Sequence, residues 1–247
     1  MIRFFRKLRN KLLSESKFGK FLLYALGEII LVVIGILIAL QVNNWNVERQ
    51  NNKEEQFYLR SIKDNLNNDA LLLETLTAQI SKSLLTLDTI SRLDNANKGL
   101  TVTNDNFTSS FLGSYNFTPV KTTIDELQSS GKLNLIKSKL IKEKLLSYYS
   151  YIENNPSDLN RSLVTYSREN IAPHLMVNYP LNFTSSLNSE GSINEAPTRI
   201  SIDNKSHFIK NALNYRLYVL NALLAQYQQL QIDIEAMIKL VNQDIRN

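Results

Sequence analysis

Glu28 is the residue whose type and position could most readily do chemistry in this chain. It is the single charged residue in the run Phe21–Val42, FLLYALGEIILVVIGILIALQV. An ionised carboxylate is costly inside a membrane, and such carboxylates often belong to proton paths or pair with a neighbouring helix. A third interpretation keeps Glu28 near the headgroups, paired with Lys20 or Tyr24 one or two turns earlier. The sequence favours this third interpretation and leaves the other two open.

Small residues lie beside Glu28 on one helical face. Gly27, Gly35 and Ala39 share this face with Leu31 at four-residue spacing. Two small residues four apart let two helices approach closely in a membrane, as Gly35 and Ala39 could here. Such pairs are also common by chance, so the pattern leaves self-association through this face open.

Other groups of reactive residues do not form a recognisable site. His174 and His207 are far apart and have no His, Asp or Glu at metal-ligand spacing. Asp125 and Glu126 are adjacent, so on a helix they point in different directions and favour a helix-start role. The chain has no cysteine, no GxSxG, no P-loop and no GxGxxG. The sequence therefore predicts no catalytic residue, no metal site, no cofactor and no enzymatic activity.

Four tyrosines could line a groove for a ligand or a peptide. They are Tyr148, Tyr149, Tyr151 and Tyr166. Tyrosines at helix-bundle positions more often belong to the edge of the core, with the ring buried and the hydroxyl solvated. We expect the second arrangement.

The run Phe21–Val42 is long enough to cross a membrane. At about 1.5 Å per residue, a helix of 22 residues reaches roughly 33 Å, against a hydrocarbon core of about 30 Å. Residues 1–20 carry seven Lys and Arg residues against Glu15 alone, a net charge of +6. Because the basic side of a span stays in the cytoplasm, the N-terminus is expected inside and the rest outside. The long apolar run, the extended basic leader and the lack of an A-x-A-like site predict an uncleaved signal anchor.

The leader also has an amphipathic pattern. Over residues 2–13, apolar side chains share one helical face with basic residues beside it, which is typical of a helix on the inner membrane surface. A plain positively charged segment without fixed structure is the alternative. Tyr24 and Trp45 lie near the two ends of the span, where an aromatic belt is expected. The predicted membrane-interface residues are Arg3, Arg6, Lys7, Arg9, Lys11, Tyr24 and Trp45, and the predicted contact is with anionic headgroups.

The charge outside the leader argues against nucleic acid as a partner. The chain has 28 Lys and Arg and 23 Asp and Glu. The leader holds seven of the basic residues, and Glu15 and Glu28 precede residue 44, so residues 44–247 carry equal numbers of each sign. A basic nucleic-acid-binding face therefore has no support.

The sequence predicts a mainly helical domain over residues 44–247. Leu59, Leu66, Leu73, Ile80 and Leu87 recur every seven residues in a predicted helix over 54–93. This heptad stripe permits a coiled coil with another copy, but packing within its own domain is favoured because the second apolar position is irregular. A second long helix is predicted over 204–245. Between them, short helices are predicted near 122–130 and 137–153, and another begins at Ser157 and continues until Pro173 interrupts it. Residues 178–203 are predicted to form a loop.

Within these short elements, the sequence makes two further predictions. Thr122 is expected as the N-cap and Gly131 as the stop of the helix at 122–130. The aromatic residues Phe107, Phe111, Tyr115 and Phe117 of the segment 94–120 are expected to dock on the helices. The predicted fold is all-α: one transmembrane helix followed by an elongated antiparallel helical bundle.

Two sequence patterns, in three segments, resemble a known family. The segment GEIILVVIGILIALQVNNWNVER, Gly27–Arg49, resembles the opening of a bacterial family of single-span membrane proteins with no assigned function. TIDELQSSGKLNLI, Thr123–Ile136, and LLSYYSYIE, Leu145–Glu153, resemble a second pattern of that family. The resemblance implies an inner-membrane protein with an outer helical domain, and it carries over no activity and no catalytic residues.

The predicted organisation has three parts: a cytoplasmic leader over 1–20, a transmembrane helix over 21–43 and an extracytoplasmic helical domain over 44–247. The predicted function is that of a membrane-anchored, non-enzymatic scaffold, adaptor or assembly protein that binds a protein partner through the outer domain. The alternative is a sensor or energy-coupled membrane subunit with Glu28 as its key group. The expected location is the bacterial inner membrane, with the outer domain in the periplasm.

Overall fold

The fold is taken from a computed structural model that describes residues 17–94, 101–154, 156–179, 199–201 and 207–245. The chain divides into two compact units, Met1–Glu55 and Gln56–Asn247. The amphipathic leader helix predicted over 2–13, with Arg3, Arg6, Lys7, Arg9 and Lys11, lies outside the described residues.

The described part of the first unit is helical. Its residues belong to helix α1, Lys17–Asp94, which also supplies residues to the second unit. The large apolar side chains between Leu22 and Val42 are exposed. Among the described residues, α1 is the one helix long and apolar enough to cross a membrane, judged by length and composition.

The second unit confirms the all-α prediction. Its helices beyond α1 are α2 (Asn104–Leu112), α3 (Thr122–Ser129), a 3₁₀ turn (Lys132–Leu135), α4 (Lys139–Asn154), α5 (Pro156–Tyr166), a π turn (Ser167–Ile171), α6 (Ala172–Asn178) and α7 (His207–Asp244). Two three-residue strands, β1 (Thr101–Thr103) and β2 (Arg199–Ser201), pair antiparallel with Val102 opposite Ile200. The sequence predicted neither strand.

The heptad stripe of α1 lies inside the second unit. Its five residues, Leu59, Leu66, Leu73, Ile80 and Leu87, are buried in the core. The stripe therefore packs against other helices of the same chain, as the sequence favoured. The predicted aromatic residues Phe107, Phe111, Tyr115 and Phe117 are also buried in this core, which confirms their docking.

Helix α7 matches the predicted long helix and runs antiparallel to α1 within the second unit. The Gln56 side-chain amide donates to the backbone carbonyl of Asp244 at 3.0 Å, near the end of α7. Further along α1, the Ser83 hydroxyl lies 2.6 Å from the Tyr115 hydroxyl. Tyr227, earlier in α7, donates to the Tyr115 carbonyl at 2.5 Å. The order of these contacts is reversed between the two helices.

The prediction that Pro173 interrupts the helix was wrong, because the helical path continues through it. A proline ring inside an α-helix clashes with the carbonyl four residues earlier. Here the π turn precedes it, and the Ala172 N–H donates to the Ser167 carbonyl five residues back. Pro173 then occupies the first turn of α6, where its missing N–H is tolerated.

Thr122 is not the N-cap that the sequence predicted. Lys121 occupies that position in α3 and makes no side-chain capping bond. The Thr122 hydroxyl instead lies 3.5 Å from the Asn65 side-chain nitrogen of α1. Gly131 does mark the stop, with a left-handed φ of 69° that glycine adopts without strain.

Candidate functional site

The predicted membrane-interface aromatic residues lie on the surface of α1. Tyr24 and Trp45 are both more than half exposed. The Arg49 guanidinium carbon lies 5.8 Å from the centroid of the Trp45 ring, within cation–π range. Both positions suit an interfacial belt, and the contact with headgroups stays a prediction.

Glu28 and the small residues are also exposed on α1. At Gly27 and at Gly35, an added Cβ would meet no atom within 4 Å outside the local helix backbone. Ala39 is exposed as well. This face of the first unit therefore has room for a second helix to approach closely.

Asp69 is the centre of a buried polar network in the second unit. Its carboxylate accepts the Val120 N–H at 2.8 Å and the Tyr148 hydroxyl at 2.9 Å. The Tyr149 hydroxyl donates to the Val120 carbonyl at 3.1 Å. Asp69 thereby ties α1 to α4 and to the segment that enters α3.

Burial raises the pKa values of three groups in this network. Desolvation raises the pKa of Asp69 above its ordinary value of 3.8, although its bonds to Val120 and Tyr148 act in the opposite direction. Desolvation, followed by repulsion from the Asp69 charge, raises the pKa values of Tyr148 and Tyr149. The two phenols therefore stay neutral and donate hydrogen bonds at physiological pH.

Two side-chain contacts continue the network along α1 towards Gln56. Asn65 donates to the Thr123 hydroxyl at 2.8 Å, and the Tyr58 hydroxyl donates to the Glu126 carboxylate at 2.9 Å. Asp125, next to Glu126, instead lines a surface groove together with Tyr149. The two carboxylates therefore point in different directions, as predicted from their adjacency.

A groove of about 290 Å³ lies between α3 and α4. Lys121 forms an ion pair with Glu153 there, and its ammonium lies 6.0 Å from the centroid of the Tyr149 ring. The groove is lined by Lys121, Ile124, Asp125, Gln128, Leu146, Tyr149, Ser150 and Glu153. With one cation and two carboxylates around an aromatic wall, it suits a small polar group better than an apolar one.

The structure does not bring the four predicted tyrosines together in one groove. Tyr148 and Tyr149 are buried and bonded within the Asp69 network. Tyr151 is exposed, and Tyr166 packs on Tyr215 with ring centroids 4.2 Å apart. Only Tyr149 contributes to the groove described above.

Arg216 of α7 is fully buried and was missed by the sequence analysis. Its guanidinium donates to the Ser110 carbonyl at 2.9 Å, the Ser167 hydroxyl at 2.8 Å and the Gly113 carbonyl at 3.0 Å. Burial lowers the pKa of Arg216 to about 10, so it remains charged at neutral pH. A cation at the C-terminal carbonyls of α2 also compensates the helix dipole. Arg216 therefore stabilises the packing of α7 against the end of α2.

The irregular second position of the heptad pattern could have indicated the buried polar residues of α1. Asp69 and Ser83 occupy the second core position of α1, at seven-residue spacing with Ile62, Leu76 and Ile90. The irregularity of that position therefore marks polar groups that enter the core and find partners there. Arg216 is likewise a polar residue at a core position of α7, with buried apolar residues before and after it.

The histidines do not form a site. The His174 ring stacks on Phe208 with centroids 4.0 Å apart, and His207 is exposed at the start of α7. In the part of the chain that the structure describes, no three His, Cys, Asp or Glu residues are placed to hold a metal ion.

Comparison with known proteins gives a family. The model of DUF6090, a family of unknown function, matches residues 28–155. The matched range contains the Asp69 network and the groove. It also contains the segments Thr123–Ile136 and Leu145–Glu153 and all of Gly27–Arg49 except Gly27. No curated protein and no solved structure matches the chain. Because the family model covers more than half of the sequence, the chain belongs to DUF6090, a family of unknown function.

Proposed function

We propose that this protein is a membrane-anchored, non-enzymatic scaffold, adaptor or assembly factor. Residues 21–43 cross the bacterial inner membrane once, the leader lies in the cytoplasm, and the outer helical domain binds a protein partner in the periplasm. The observation that carries the proposal is the helix surface between Leu22 and Val42, whose large apolar side chains are exposed. Water does not tolerate such a continuous apolar surface, but a hydrocarbon core of about 30 Å does.

The basic leader supports the orientation. Its net charge of +6 contrasts with the mixed charges of Glu48, Arg49, Lys53, Glu54 and Glu55 after the span. Lys and Arg hold the leader on the cytoplasmic side and attract it to anionic headgroups. Tyr24 and Trp45, both exposed on α1, fit the two interfaces.

Exposed apolar side chains on the second unit support a protein partner. Phe57, Leu71 and Leu85 are each more than 60 % exposed on α1. Single exposed apolar residues are ordinary, but three along one face of one helix favour a protein contact. The sequence-derived partner, a protein rather than a nucleic acid, is consistent with this surface.

Capture of the full chain from gently solubilised membranes tests the partner. We expect a protein to co-purify with the wild type and to be lost in Leu71→Asp and Leu85→Asp. Asn67→Asp, on an exposed polar position of the same helix, is the matched control and should retain it. Equal recovery from all four proteins would contradict a partner bound at this face.

A second candidate is a sensor or energy-coupled subunit that works through Glu28. The exposed position of Glu28 on an apolar helix beside Gly27 favours it, because such a carboxylate gains most from a polar partner in a neighbouring helix. A Glu28→Gln variant with unchanged partner recovery and unchanged phenotype would remove this candidate. Loss of either would favour it over a purely structural anchor.

A further inference from the structure

The groove between α3 and α4 carries a net negative charge. Of the residues that line it, Lys121 is positive and Asp125 and Glu153 are negative, which gives a net charge of −1. Ile124 and Leu146 add an apolar wall. The volume of about 290 Å³ is close to the lower end of the range for ligand pockets, about 300–1,000 Å³, so the groove fits one small group.

A lysine of the chain itself already lies in this groove. Lys121 forms an ion pair with Glu153, and its ammonium lies 6.0 Å from the centroid of the Tyr149 ring. An ammonium at about this distance is attracted to the electron-rich face of an aromatic ring. The Lys121 side chain is only 27 % exposed, so much of it is removed from water. A carboxylate and an aromatic ring therefore hold an alkylammonium group in this groove.

Asp125 supplies a second carboxylate beside the same ring. Desolvation, followed by the charges of Asp69 and Asp125, raises the pKa of Tyr149 above its ordinary value, so the Asp125 charge lies near the Tyr149 side chain. Lys121 pairs with Glu153, and within the described segments of the second unit the Asp125 carboxylate takes part in no ion pair. The groove therefore has a carboxylate that can accept one more positive charge.

We propose that this groove binds an organic cation, a primary ammonium or a guanidinium on an aliphatic chain. The charged head lies above the Tyr149 ring between Asp125 and Glu153, and the aliphatic chain lies along Leu146. An anion would meet two carboxylates, and an uncharged apolar ligand would take water from charged side chains, so both are disfavoured. The inference goes beyond the proposed function and needs neither the span nor a protein partner, because every lining residue belongs to the second unit.

Lys121 acts as an internal competitor for this cation. The ligand pairs with Glu153 only when the Lys121 ammonium leaves it. Glu153 is 60 % exposed, and ion pairs with an exposed partner are weak, so this displacement costs little. Removing the Lys121 charge should therefore tighten the binding of a cation, whereas it would weaken the binding of an anion. This difference in sign separates a cation site from an anion site.

Titration of the full chain in a non-ionic detergent with N-acetyl-lysine amide tests the site, with saturation-transfer NMR as the readout. We expect the uncharged analogue N-acetyl-norleucine amide to bind at least about five-fold more weakly, because it lacks the ammonium. Asp125→Asn and Glu153→Gln should each weaken the binding of the lysine probe about three-fold to ten-fold. Lys121→Gln should strengthen it about two-fold to five-fold, because it frees Glu153 and the Tyr149 ring.

Two charges of α4 that do not line the groove provide matched controls. Glu143→Gln removes an exposed negative charge and Lys144→Gln an exposed positive one, and both should bind the probe as the wild type does. Asp125 is exposed, so Asp125→Asn keeps the fold even where another variant unfolds by circular dichroism. Equal binding of the two probes, equal affinity of Asp125→Asn and Glu143→Gln, weaker binding by folded Lys121→Gln, or no binding at all would overturn the site.

Capture of the same variants from gently solubilised membranes identifies the source of the cation. Loss of a co-purifying protein in Asp125→Asn and Glu153→Gln, but not in Glu143→Gln, would assign the cation to a lysine or arginine side chain of a partner. Retention of that protein, with the expected probe binding, would assign the cation to a free small amine, and either result supports the site. Failure of probe binding leaves the partner face at Leu71 and Leu85 to its own capture test, so the two proposals fail separately.

Discussion

Tyr148 donates a hydrogen bond to the Asp69 carboxylate at 2.9 Å, although 79 positions separate the two residues. The same carboxylate accepts the Val120 N–H. One side chain of α1 therefore determines where α4 packs and where the chain enters α3. Both helices border the groove, so this contact also positions the walls of the groove.

Removing the Asp69 carboxylate should destabilise the second unit. Asp69→Ala takes the acceptor from the partly buried Val120 N–H and from the buried Tyr148 hydroxyl. We expect this to lower the free energy of unfolding by about 2–4 kcal/mol. Asp69→Asn keeps one acceptor oxygen for the Val120 N–H, and its NH2 group can donate to the Tyr148 oxygen instead, so it should lose less than Asp69→Ala. Denaturant unfolding of the detergent-solubilised protein, followed by circular dichroism, measures both. Asp64→Ala, an exposed aspartate on the same helix, is the control and should be close to neutral.

The raised pKa of Asp69 gives a pH dependence of known sign. Between the ordinary value of 3.8 and the higher folded value, the native state binds a proton that the unfolded chain has released. The free energy of unfolding of the wild type, relative to Asp69→Asn, should therefore fall as pH rises through this window and be constant above it. Unfolding of both proteins between pH 3.5 and 7 measures the difference. A difference that rises with pH would show a lowered pKa and contradict the assignment.

Arg216 should be among the most sensitive positions of α7. Arg216→Met removes three hydrogen bonds and takes the guanidinium donor from the buried Ser110 carbonyl, the partly buried Gly113 carbonyl and the Ser167 hydroxyl. We expect a loss of about 3–4 kcal/mol in the free energy of unfolding. Arg216→Lys should restore only part of it, because an ammonium cannot reach several acceptors in the planar geometry of a guanidinium. Full stability of Arg216→Met in thermal unfolding would mean that the cation is dispensable.

Leu73 and Leu71 lie two positions apart on α1 and should behave oppositely. Leu73 is fully buried, so Leu73→Ala should lower the free energy of unfolding by about 2–5 kcal/mol through lost contacts and a cavity. Leu71 is exposed on α1, so Leu71→Ala should change the free energy of unfolding by less than about 0.5 kcal/mol and should weaken partner capture instead. Thermal unfolding and capture on the same two variants distinguish these roles. A large stability loss in Leu71→Ala would show that this face is covered within the chain.

The elements that the sequence predicted best are those with strong periodicity. Seven-residue recurrence of leucine and isoleucine on α1 located its buried face, and the predicted helix at 204–245 matches α7, His207–Asp244. Gly131 was recognised because a left-handed residue commonly follows a helix end. In each case the signal is local, so it can be read without knowing the partner surface.

Tertiary contacts determined what the sequence did not predict. The pairing of Val102 with Ile200 joins positions far apart in sequence, and three-residue strands are too short to show alternation. Pro173 is a helix interruption by local rules, and the π turn before it accommodates the ring. The acceptors of Arg216 come from two segments far from it in sequence, one with Ser110 and Gly113 and the other with Ser167. Its position among apolar residues therefore indicates a buried charge but does not identify the partners.

The most direct test of the account is the side of the membrane on which each end of the chain lies. Val177→Cys places a thiol on α6 at a position that is 83 % exposed, and Ser14→Cys places one in the basic leader. In intact spheroplasts, a membrane-impermeant maleimide should label Val177→Cys and should label Ser14→Cys only after permeabilisation. Labelling of Ser14→Cys alone in intact spheroplasts, or recovery of the unlabelled chain in the aqueous fraction without detergent, would contradict a single span with its basic end in the cytoplasm.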